Sequence, residues 1–340
     1  MAYPGVVSDL HTCAQLGVPS RVPVFALGEE FDVELYGVDY REYILSAEKM
    51  VECQIQAVQR FDYDWILLHP DDYIEFEPLG VETKGDARIP PAAVNQLPAT
   101  RATLSGLRIP RNAGRMPAHL EALDGIKRAH GDSLVVSGRC AAPFSATTLL
   151  YGISDGLMLL YDDPRLFRDT CEFFVDLMSE WGQAQIKAGA DCIWLGDCVA
   201  SSGFSSPQQY ADYAVEPAFR VQEAIKAAGG EVIYHAGDRS LPHLEIGAEY
   251  FDIINVGEGI DIAEVKAAIG SKVCLSGNAH PIRLMNCDSL EEVARETRRI
   301  VEAGKPGGGY IFNTGEGVPR QVKPEVIRTM IQTAKTYGVY

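Results

Sequence analysis

The chain has 340 residues, 46% of them hydrophobic and 23% charged, and a formal net charge of −17. Such a length and mix allow one large barrel or two smaller domains, while the acid excess argues against binding nucleic acid or an anionic membrane surface. A polyanionic substrate is disfavoured too, unless a local basic pocket exists.

In chain order, the opening stretch MAYPGVVSDLHTCAQLG has no basic segment followed by an apolar one, so no secretory leader is expected. No run is long and apolar enough to suggest a membrane span. The eight cysteines are scattered without a CxxC pair, which reads as reduced core thiols in a cytoplasmic protein.

Eight short apolar runs then appear, each ending in a polar or glycine break. They are RVPVFAL, WILLHPD, LVVSGR, CIWLGD, EVIYHAG, IINVGEG, VCLSGN and GYIFNTG. Continuous apolar runs of this length suit strands covered on both faces, as in a parallel sheet. Helical segments separate them. Asp163-Pro164 and Ser206-Pro207 each offer an N-cap followed by a first-turn proline. Pro217 must kink or restart the helix it interrupts, which ends at Gly229-Gly230. Ser289 and Glu292 have capping-box spacing, and Pro324 opens the last helix.

Residues 81–133 are proline-rich with little strand character, and read as an excursion carrying one helix near PAHLEALDGIKRA. About eight strands alternating with helices is the count for a (β/α)8 barrel. The expectation is a single domain over residues 1–340, an α/β TIM barrel with an N-terminal extension and the 81–133 excursion. A doubly wound sheet would carry a phosphate-binding glycine loop, and neither GxGxxG after a strand nor GxxxxGK[ST] occurs.

Chemistry in such a barrel collects at the C-terminal strand ends. Those positions hold His69 and Asp71, Arg139, Asp197 with Cys198, His235 with Asp238, Glu258, Asn278 with His280, and Glu316. Carboxylates, imidazoles and a thiol together are the vocabulary of zinc or acid/base chemistry. Glu316 stands between Gly315 and Gly317, which let the backbone turn it into the mouth. Asn278, Asp238 and Glu258 equally suit helix caps. His235 follows EVIY directly and is hard to place as one. Of Asp71 and Asp72, one faces the site and the other solvent.

These segments resemble the uroporphyrinogen decarboxylase superfamily, which also contains zinc-dependent methyltransferases that exchange methyl groups with corrinoid proteins. SRVPVF is similar to its opening strand. HPDDYIEFEPLGVE resembles the segment holding the decarboxylase's key aspartate, whose place Asp71 takes. APFSATTLLYG, the SSPQQY helix entry, LSGNAHP and NTGEGVPRQVKPEVI follow in family order.

The departures narrow the function. Where the decarboxylase has a basic Arg-Gln-Ala-Gly-Arg stretch to hold a many-carboxylate porphyrinogen, this chain has the acidic ALGEEFDVELYG. Its final Asn-Leu-Gly-His-Gly has Glu316 in place of the histidine. The methyltransferase branch binds zinc through His-x-Cys and a later cysteine. Here His235 takes the histidine place, HAGD lacks the thiol, and Glu316 takes the last cysteine's place.

The resemblance therefore implies a methyltransferase moving a methyl group from a small methylated donor, of ether or amine type, to the cobalt of a separate corrinoid protein. Asp71, Glu316 and His235 would be catalytic. Asp197, Arg139, Asn278 and His69 would bind substrate. His235 and Glu316 would hold zinc with a third ligand from Asp197, Cys198 or Asp238, and a harder oxygen–nitrogen set leaves the metal more Lewis-acidic. A homodimer is compatible with this reading. The alternatives are a methylcobalamin:thiol methyltransferase, a decarboxylase of a small acid, and a non-catalytic tetrapyrrole- or corrinoid-binding protein.

Overall fold

A computed structural model describes residues 3–340. Among the described residues nine strands form two sheets: β1 Trp65–Leu67, β2 Glu82–Lys84, β3 Ala92–Asn95, β4 Val135–Ala141, β5 Cys192–Gly196, β6 Glu231–Asp238, β7 Ile253–Val256, β8 Cys274–Ser276 and β9 Tyr310–Ile311. Seven of them make one parallel sheet in the order β1-β4-β5-β6-β7-β8-β9. Residues 22–27 supply the missing stave. Phe25 N–H donates to Phe312 O and Phe312 N–H to Pro23 O, while Asp64 N–H donates to Val24 O. The segment thus bonds to both edges of the sheet and closes it as an α/β barrel.

Side chains alternate across the strands as the pleat requires. Trp65, Leu67, Val135, Cys192, Trp194, Ile233, Ile253, Cys274 and Ile311 point inward with Phe25 and Leu27. Their neighbours Ile66, Val136, Ile193, Leu195, Val232, Tyr234, Ile254, Leu275 and Tyr310 point outward, into a second core beneath the helices. The helix Val6–Ala14 lays Val6, Leu10 and Cys13 against the inward cluster. The N-terminal extension is therefore a plug in the barrel.

Nearer the C-terminal strand ends the inward positions change character. Ser137, His235, Asn255, Ser276 and Asn313 are all buried there. Each buried polar group has a partner: Trp65 Nε1–H donates to Ser137 Oγ at 2.8 Å, and Asn313 Nδ2–H to Ser276 Oγ at 3.0 Å.

The helix signals translate directly. Asp163 accepts from Leu166 N–H at the start of Pro164–Lys187, and Ser206 with Gln209 makes a complete capping box. At Ser289 only half the box forms, with its hydroxyl accepting from Glu292 N–H. Pro217 lies within Val215–Ala227, preceded by a π-helical turn at Tyr210–Ala214. The wider turn accommodates the ring without a break. The region 81–133 is more structured than its prolines suggest. β2 and β3 form an antiparallel hairpin, and Met116–His130 is a barrel helix packed on Ala47–Phe61 and β4.

Candidate active site

His235 lies in the buried C-terminal half of β6 with its ring tilted against Trp194, centroids 4.7 Å apart. Its Nδ1 lies 2.9 Å from Asn255 Oδ1. Its Nε2 faces Glu316 Oε2 at 3.5 Å. Burial opposes a charged ring, but Cys198 and Glu316 outweigh it, and the imidazole is held well above its usual range. For Glu316, burial is likewise overcome by His235 and Arg239, which lower its carboxyl. The Glu316 side chain remains 40% exposed, so this pair is open to a ligand at the barrel mouth.

Gly237 explains how Glu316 reaches that place. Its φ is +62°, and a Cβ there would sit 2.3 Å from Glu316 Oε1. The carboxylate occupies the volume that a side chain at residue 237 would fill, in the very His-x-Cys position where this chain lacks a thiol.

A second cluster lies beside the first. His69 is bracketed by Glu29 Oε1 on Nδ1 and Asp72 Oδ1 on Nε2, each at 3.1 Å. Burial works against its charge, yet the two carboxylates push its pKa up to about 10. Asp72 is held well below the usual carboxylate range: His69 and Arg139 overcome the opposing effect of burial. Its side chain is 58% exposed.

Asp71, the residue the resemblance favours, turns away. It is buried, ion-paired with Arg115 and hydrogen-bonded by Tyr73 N–H at 2.7 Å. Arg115 also binds Glu77. The aspartate reaching the mouth is Asp72.

The remaining predicted residues disperse. Arg139 is buried against Glu75, with Nη1 2.9 Å from both carboxylate oxygens, and approaches Asp72 at 3.4 Å. Asp197 accepts from Ser145 N–H at 3.0 Å and from the Tyr234 hydroxyl at 2.8 Å, so it caps the helix Pro143–Tyr151. Burial raises its carboxyl to about 6 despite those bonds. Asn278 donates to Gly257 O and Ile260 O, tying two loops. Asp238 accepts from Ser202 and Ser240 and pins the loop after β5.

Among the described residues no three His, Cys, Asp or Glu side chains converge as a metal site. His235 and Glu316 offer two donors; of the candidate third ligands, Asp197 and Asp238 have both oxygens engaged elsewhere, and Cys198 lies near His235 without completing a cluster. The residues present do not fit a three-ligand zinc centre.

Sequence reasoning missed Glu29, Asn255, Ser276 and Asn313. The signal was available for three of them: a polar residue at an inward position inside an otherwise apolar run.

Fold and site together define an α/β barrel with a paired histidine and glutamate at its C-terminal mouth. The family model "Uroporphyrinogen decarboxylase (URO-D)" matches residues 11–337, and the chain belongs to that family. It is 24% identical over 338 residues to a uroporphyrinogen decarboxylase of Chlorobium luteolum, covering 93% of each chain. Among solved structures it is similar to a methyltransferase from Methanosarcina mazei, with TM-score 0.87 and 19% identity, covering 98% of this chain and 99% of the other. A B12-independent methionine synthase from Shewanella sp. W3-18-1 superposes less fully, with TM-score 0.57 and 14% identity over 88% of each chain.

Proposed function

We propose that this protein transfers a methyl group from a small methylated ether or amine to the corrinoid of a separate protein. The carrying observation is the contact between His235 Nε2 and Glu316 at the open mouth. Breaking a methyl–heteroatom bond leaves the electron pair on the departing oxygen or nitrogen, which needs a proton. A charged imidazole held beside a carboxylate supplies one, and Glu316 stabilises that charge until transfer. The corrinoid, when its carrier protein docks, supplies the methyl acceptor.

Surroundings support this over porphyrinogen decarboxylation. The mouth presents Glu29, Asp72, Glu258 and Glu316, while Arg139 and Arg115 are committed to Glu75 and Asp71. These four carboxylates outnumber the cationic groups beside them, His69, His235 and Arg239, which leaves no cluster of free bases to clamp a polyanion. The similarity to the Methanosarcina protein adds a fold-level analogy.

The test supplies free cob(I)alamin and a panel of methyl ethers and methylamines, and follows methylcobalamin by its absorbance. Donor-dependent methylation that is lost in Glu316→Gln supports the reading. Release of carbon dioxide from a small acid, with no methylcobalamin from any donor, overturns it. Zinc content measured on the same anaerobic preparation separates a two-donor site from one that recruits a further ligand. Stoichiometric zinc lost in Glu316→Ala would restore the metal-assisted route.

A further inference from the structure

His235 has two ring nitrogens, and only one of them faces the mouth. Which one carries a proton in the neutral ring decides whether the exposed nitrogen can accept a proton or bind an electrophile. That choice is made below the site, in the barrel interior.

Asn255 Oδ1 lies 2.9 Å from His235 Nδ1. An amide can present either its oxygen or its nitrogen, so that distance alone does not fix the proton. The other end of the amide does. Asn255 Nδ2 lies 3.2 Å from Ser276 O and 3.3 Å from Asn313 Oδ1. Ser276 O is a backbone carbonyl and can only accept. Asn313 Nδ2–H in turn donates to Ser276 Oγ at 3.0 Å, which directs the Asn313 oxygen toward Asn255. All three residues are fully buried, leaving no water to exchange roles with them. The Asn255 oxygen must therefore face His235, and an oxygen there requires Nδ1–H.

We propose that Asn255 is a positioning residue that locks His235 as the Nδ1–H tautomer and leaves Nε2 as the working nitrogen at the mouth. The chain Ser276–Asn313–Asn255–His235 draws on β7, β8 and the end of β9 and delivers its polarity to β6. The inference rests on His235 being a working residue, but the tautomer is readable without any substrate.

The experiment uses protein labelled with 15N-histidine, with long-range proton–nitrogen correlation spectra recorded at the alkaline end of a titration. A His235→Gln variant assigns the signal among the seven histidines. In the wild type, the neutral His235 ring should show a protonated Nδ1 and a bare Nε2. Asn255→Leu should move the proton to Nε2, the form favoured by free imidazole in water. Asn255→Asp should keep it on Nδ1, since a carboxylate oxygen accepts as the amide oxygen does. A residue that merely fills space would leave the tautomer unchanged in both variants. Nε2–H in the wild type, or Nδ1–H retained in Asn255→Leu, overturns the proposal. Should either variant fail to fold, the wild-type spectrum alone still decides. Absence of methyl transfer with an intact Nδ1–H signature would overturn the functional reading while leaving this one standing.

Discussion

The lower and upper layers of the barrel interior are built on the same strands, two residues apart, and do opposite things. Ile233 and Ile253 point inward among Trp65, Cys192, Cys274 and Ile311, where no polar partner is needed. His235 and Asn255, the next inward residues on the same two strands, point into a hydrogen-bonded network that ends at an open mouth. The lower layer is an ordinary packed core that happens to be cylindrical. The upper layer trades apolar burial for oriented polar groups, each of which must be satisfied because the strands allow no water between them. Stability and chemistry are thus stacked along the barrel axis, and each can be perturbed separately.

The largest effect should come from the top. Glu316→Gln or His235→Gln is expected to lower methyl transfer about 10²- to 10⁴-fold, the range for removing a general acid. The melting temperature should stay close to wild type, which calorimetry checks. Gly237→Ala should cause a smaller loss by another route, because its Cβ pushes the flexible Glu316 carboxylate out of its present place. A positive φ adds about 1 kcal/mol of backbone strain, visible in urea titration. Full activity in Gly237→Ala would show that the carboxylate works from elsewhere.

The lower layer should answer in the opposite sense. Ile253→Ala is expected to cost about 2–4 kcal/mol in urea unfolding, with activity per folded molecule retained. Loss of activity out of proportion to unfolding would mean that the two layers are mechanically coupled.

His69 tests the rim. Its folded pKa, about 10, lies above the ordinary value of about 6.5, so its pairs with Glu29 and Asp72 stabilise the fold most fully below about pH 6.5. That contribution fades as pH rises toward 10. The stability difference between wild type and His69→Gln should shrink over the same window, from about 1 kcal/mol, since Asp72 is screened by solvent. A pH-independent difference would show that His69 acts through packing. The smallest effect belongs to neither layer: removing the exposed Lys272–Glu249 pair with Lys272→Ala should leave the urea midpoint unchanged.

The barrel was legible because strands buried on both faces leave unmistakable apolar runs, and every one of the eight runs occupies a stave. His235 and Glu316 were legible for a related reason: each follows an apolar run at a strand end, where a cap or a turn residue would have been simpler. The choice between Asp71 and Asp72 was not legible. It depends on Arg115, distant in sequence, which claims the first and leaves the second to pair with His69 at the mouth. Asp197 looked like a mouth residue but caps a neighbouring helix, a role visible only once Ser145 is beside it. Asn255 stood out as a polar residue in the apolar run IINV, but what it bonds is visible only once His235 and Ser276 are beside it.

The mutual exclusion between residues 237 and 316 also bears on ancestry. A cysteine at 237 must begin with a Cβ, and that atom would lie 2.3 Å from the Glu316 oxygen. A lineage cannot add the thiol and keep the carboxylate where it stands. Passing between a mouth with that thiol and this one takes two changes: adding the thiol first makes the Glu316 carboxylate swing aside, and removing the carboxylate first leaves His235 without its partner.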